Sequence, residues 1–221
     1  MSGPITTEQQ WLNSIDPEAM ARLLESGDPD PRRWQLFACA CCWRILPMLD
    51  DRSRQAVAIA ERHAEGLATA EEVADACHQA HCAIVATWQP GMDPCLEYAA
   101  AAIHYALNHP QSARAYAALA TGGGQDAERR VQADLLRDVF GNPFRPARLD
   151  AAWRTPTVLA IAADIYHNDA FSEMPVLGDA LEDAGCDDSD VLDHARHARP
   201  HVRGCWLVEG LLARAGGLDS A

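Results

Sequence analysis

The chain has 221 residues, 48% of them apolar, enough to bury a core in one large domain or two small ones and to exclude disorder over most of its length. Its 18 basic residues are all arginine, against 32 acidic residues, and the formal net charge of −14 argues against a general phosphate-backbone binder. The absence of lysine also removes Schiff-base chemistry and a Walker-type phosphate loop, which both need that primary amine.

From the N-terminus, Met1 to Gln10 lacks the basic region and apolar core of a signal peptide, and no later run reaches the roughly 18 apolar residues of a membrane span. A cytoplasmic protein is expected, with no membrane or nucleic-acid partner and with its eight cysteines as free thiols. Apolar periodicity is helical nearly throughout, at residues 7–14, 17–26, 31–46, 52–65, 70–88, 94–107, 111–120, 126–140, 156–167, 175–184, 188–197 and 202–214. Asp16-Pro17, Asp30-Pro31, Asp93-Pro94 and Thr155-Pro156 each set a capping oxygen before a proline at the first helical position. Thr69 and Glu72 have capping-box spacing, and Gly27, Gly66, Gly141 and Gly185 follow periodic segments where left-handed helix ends are expected. The fold class predicted is all-α, a compact array of ten to twelve helices, mostly antiparallel neighbours, in a single domain over 1–221. Gly122-Gly123-Gly124 could divide it into lobes 1–120 and 126–221.

Residues able to carry chemistry come in three groups. Cys39 and Cys42 share a face of the third helix, but Leu36, Phe37, Ala40, Trp43 and Ile45 surround them, so apolar packing is the simpler reading than a metal or redox pair. Cys77 with His81, and His78 with Cys82, have the four-residue spacing that puts two ligands on one helical face, half of a zinc shell. In the C-terminal third, Asp187, Asp188 and Asp190 cluster where carboxylates cap a helix start. Cys186, His194, His201 and Cys205 there offer two thiols and two imidazoles compatible with tetrahedral zinc, and Asp190, four residues before His194, suits an outer-shell carboxylate. The turn Phe140-Gly141-Asn142-Pro143-Phe144-Arg145-Pro146 is stiffened by two prolines and carries Asn142 and Arg145 as candidate contacts for an anionic ligand or acidic segment. Arg145 could equally tie the loop to Asp150 or Asp138. No Gly-x-Ser-x-Gly elbow or His-Glu-x-x-His motif is present, so no reaction is named.

The run Leu136 to Pro146, then Trp153, Thr155, Thr157-Val158, Ile165-Tyr166, Ala170-Phe171, Leu181 to Cys186 and His201 to Trp206 resembles a bacterial family without an assigned activity, often present as large paralogous sets. Its members also carry a stretch similar to Leu36 to Cys42 and to Ala60-Glu61-Arg62. The resemblance is strong over the C-terminal motifs and patchy in the N-terminal half. It implies that the two cysteine-bearing ends travel together in one fold, and it implies no activity. This chain departs from the family in two places, with Ala195 where relatives have a cysteine and Trp43 where they have a basic residue.

The first functional expectation is an acidic helical interaction or adaptor module with a protein partner, recognised through Asn142, Arg145 and Asp190. The alternative is a zinc-binding protein or metalloenzyme using Cys186, His194, His201 and Cys205. A third reading, a thiol redox sensor, would use Cys39, Cys41 or Cys42.

Overall fold

The computed structural model describes residues 3–27, 30–45, 50–89, 93–197 and 199–213. Among them are twelve α-helices and no strand: α1 (Glu8–Asn13), α2 (Pro17–Glu25), α3 (Pro31–Ile45), α4 (Asp51–Ala64), α5 (Ala70–Thr87), α6 (Pro94–Asn108), α7 (Pro110–Ala120), α8 (Gln125–Phe140), α9 (Pro156–Asn168), α10 (Met174–Asp183), α11 (Ser189–Arg196) and α12 (Trp206–Leu211). The protein is all-α, and every helix expected from periodicity has a counterpart. None of them is long and apolar enough to cross a membrane.

Local chemistry sets the helix starts. The Asp16 carboxylate accepts from the Glu18 and Ala19 amides, Asp93 from Cys95 and Thr155 from Val158, each one residue before the proline that opens α2, α6 or α9. Thr69 and Glu72 close the reciprocal capping box of α5. Gly141 and Gly185 are left-handed as expected, with φ of +70° and +85°, whereas Gly27 is not, and α9 ends on Asp169 at φ +51°. The largest boundary difference is at α12, which begins at Trp206 rather than 202. Residues 202–205 instead form a turn in which the Cys205 amide donates to the Val202 carbonyl.

Contacts gather the described residues into two compact units, one from 1–5 and 14–133, the other from 6–13 and 134–221. The boundary falls inside α8, and the triple glycine forms a short 3₁₀ turn at its start. In the first unit α3 is the central element, buried at every residue from Trp34 to Cys42, as a helix apolar on all sides must be. Helices α4, α6 and α7 pack around it, and alanines such as Ala99, Ala102, Ala106, Ala113 and Ala117 let α6 and α7 approach closely. Glu128, nearly fully buried, is held by Arg44 Nε at 2.9 Å, which offsets the cost of burying its charge.

The second unit is built on Val158, Ile165, Met174, Leu177, Leu181, Val191, Leu207 and Leu211, contributed by α9 to α12. Gly178 sits where α10 meets α11: a Cβ there would stand 3.2 Å from Ala195 Cβ and 3.1 Å from Arg196 Cγ. Arg137, at the end of α8, fastens α1 by donating from Nη2 to the Trp11 carbonyl at 2.8 Å. These elements bring the end of α8, helix α11 and the 201–205 turn to one place.

Candidate metal centre

Asp138, His194, His201 and Cys205 each offer one donor atom, and the four atoms lie within 4.8 Å of one another. Asp138 comes from the last turns of α8, His194 from the last turn of α11, and His201 and Cys205 from the turn before α12. His201 Nδ1 lies 2.6 Å from Asp138 Oδ1, and the Val202 amide donates to Oδ2 at 2.9 Å. His194 Nε2 faces both Asp138 Oδ1 at 3.3 Å and Cys205 Sγ at 3.2 Å. Its Nδ1 accepts from the Trp206 indole at 3.3 Å. The side chains are 2%, 12% and 4% exposed for Asp138, His194 and His201, and Cys205 is fully buried. His201 Nε2 is buried and has no hydrogen-bond partner.

Burial alone would push Asp138 up, but the hydrogen bonds and charges of His194 and His201 outweigh it and hold the carboxyl below its usual range. His194 moves down, because burial disfavours the imidazolium more than Asp138 favours it. Burial and the neighbouring Asp138 charge push the Cys205 thiol well up. The group therefore holds a buried carboxylate beside a neutral imidazole and a thiol. Among the described residues no arginine pairs with Asp138, whereas the buried Glu128 carboxylate has one.

This arrangement is not a nucleophilic relay. A Cys–His–Asp triad needs one imidazole nitrogen on the nucleophile and the other on the carboxylate, but His194 turns Nε2 to both and gives Nδ1 to Trp206. The raised thiol pKa and complete burial of Cys205 point the same way.

Of the residues expected at a zinc site, His194, His201 and Cys205 come together and Cys186 does not. Cys186 lies in the core of the second unit, its amide bonded to the Leu181 carbonyl at the end of α10. Asp138 stands as the fourth donor instead. Asp190 does not orient His194: its carboxylate is 2.7 Å from Arg145 Nη2. Arg145 Nε also meets Glu8 at 3.1 Å, and Asn142 Nδ2 donates to the same Glu8 carboxylate at 2.6 Å. Arg145 thus ties the turn to α1 and α11, rather than to Asp150 or Asp138. Asp188, not Asp190, caps α11, accepting from the Asp190 and Val191 amides.

The other thiols do not assemble. Burial pushes Cys39, Cys41 and Cys42 up inside α3, the reverse of what a reactive thiolate requires, and none of them belongs to a group of three donors among the described residues. Cys77 donates to Asn108 Oδ1 at 3.3 Å, and Cys82 lies 3.6 Å from His78 Nε2. Neither pair belongs to a group of three donors among the described residues.

Comparison with protein-family models, curated proteins and solved structures returns no match to this chain.

Proposed function

We propose that the chain is a metal-binding protein in which Asp138, His194, His201 and Cys205 hold one divalent transition-metal ion, zinc by donor type. The observation that carries this is the convergence of four donors from three chain segments within 4.8 Å. Two imidazoles, a thiol and a carboxylate form the mixed set that zinc accepts in tetrahedral geometry. Such a shell has donor-to-donor edges of about 3.3–3.6 Å, and His194 Nε2 already stands 3.2 and 3.3 Å from its neighbours. The 2.6 Å His201–Asp138 hydrogen bond has to open, and the widest of the donor separations has to shorten from up to 4.8 Å. The ionised, arginine-free Asp138 favours a cation in the same place.

Four protein donors fill a tetrahedral shell and leave no open coordination position, so the role supported is structural rather than catalytic. The ion would pin the end of α8 to α11 and to the start of α12. Binding energy at such a site is folding energy. Protein expressed without a histidine tag should carry about one equivalent of zinc, and chelation should lower its Tm. Less than about half an equivalent of any transition metal, with a Tm indifferent to chelator, overturns the proposal. The interaction reading ranks behind it, because Arg145 already binds two carboxylates of its own chain, which an acidic partner would have to displace.

A further inference from the structure

Trp206 touches this centre without offering it a ligand. Its ring lies 4.7 Å from that of His194, and its Nε1–H donates to His194 Nδ1 at 3.3 Å. An indole nitrogen is a donor only, so Nδ1 must present its lone pair there. The proton of a neutral His194 then sits on Nε2, the atom that faces Asp138 Oδ1 and Cys205 Sγ. That is the atom a cation has to bond. Coordination at Nε2 requires the ring proton on Nδ1, where two N–H groups would then meet head-on across the present hydrogen bond.

Resting on the metal reading above, we infer that Trp206 gates the site: it holds His194 in the tautomer that excludes a cation, and metal loading breaks the Trp206–His194 hydrogen bond and displaces the indole. The protons balance. As the ion enters, the His194 proton is exchanged through solvent from Nε2 to Nδ1 and the ring stays neutral, while the Cys205 thiol gives its proton to solvent and becomes the thiolate ligand. No electrons move and no co-reactant is needed. A Cβ on Gly141 would stand 3.4 Å from Trp206 Cγ, so the Gly141 backbone borders one side of the indole.

The test is the zinc affinity of the full chain against a competing chelator, wild type beside Trp206→Phe. Phenylalanine keeps an aromatic ring beside His194 and removes the donor. Zinc should bind the variant about 3- to 10-fold more tightly, the worth of the one hydrogen bond that no longer has to be broken. A residue that merely packs the site would loosen it on substitution, so equal or weaker binding overturns the gate. Should Trp206→Phe fail to fold, the wild-type indole answers the question. Labelled with ¹⁵N, the Trp206 Nε1–H resonance should lose its hydrogen-bonded shift as zinc is added, and an unmoved resonance with zinc bound refutes the inference while leaving the metal reading intact. A wild type that takes up no zinc refutes both.

Discussion

Asp138→Asn changes one atom of the centre and nearly none of its shape. The carboxylate accepts from His201 Nδ1 at 2.6 Å and the Val202 amide at 2.9 Å, and faces His194 Nε2 at 3.3 Å. An asparagine must turn its NH₂ either toward Val202, setting donor against donor, or toward the imidazoles, where it meets the same conflict. One buried donor is left unsatisfied in either orientation, and the remaining bonds lose their charge assistance, a cost of about 3 kcal/mol. For a chain of this length that is a Tm lower by about 6–12 °C. The assay is a thermal melt in chelator, so that metal contributes nothing. A shift under about 2 °C would refute the view that Asp138 is the organising acceptor of this group.

Other consequences are independent of the metal. Gly178→Ala would place its Cβ against Ala195 and Arg196, forcing α10 and α11 apart, and should destabilise by about 1–3 kcal/mol in urea titration. Asp50 caps α4, and its pKa is lowered: burial works against this, but the Ser53 amide and hydroxyl and Arg52 prevail. Asp50→Ala should therefore cost about 1 kcal/mol at neutral pH, with the difference fading as the pH falls through the lowered native pKa, where the wild-type carboxylate protonates. A difference that grew toward acid would contradict the assignment. Thiol labelling of the native protein should modify Cys77, Cys82 and Cys95 well ahead of the buried Cys39, Cys41, Cys42, Cys186 and Cys205, checked by mass spectrometry after digestion. Arg145→Ala should change stability by less than about 1 kcal/mol, since its ion pairs are exposed.

The helices were readable because their signals are local. A cap and the proline after it act within three residues, so Asp16, Asp93 and Thr155 announce α2, α6 and α9 without any tertiary information. Likewise His194, His201 and Cys205 stand out, being donor types at a helix end and a turn. Asp138 does not, because an aspartate following Arg137 reads as part of a solvated helix face. The clue was its position: Leu135, Leu136 and Val139 are all buried, which puts Asp138 within the apolar stripe. Cys186 misleads for the opposite reason, being near the other donors in sequence but placed by α10 in the core. Asp190 has the right spacing for His194, yet Arg145, 45 positions earlier, takes its carboxylate. Such competition between partners distant in the chain leaves no mark on periodicity.

The central claim is most directly tested by titrating the metal-free full-length protein with Co²⁺, beside Cys205→Ser. Wild type should develop a thiolate-to-cobalt charge-transfer band and tetrahedral ligand-field bands that saturate at about one equivalent, while the variant loses the charge-transfer band. Wild-type spectra without the charge-transfer band, or the same band in Cys205→Ser, would contradict a centre built on Asp138, His194, His201 and Cys205.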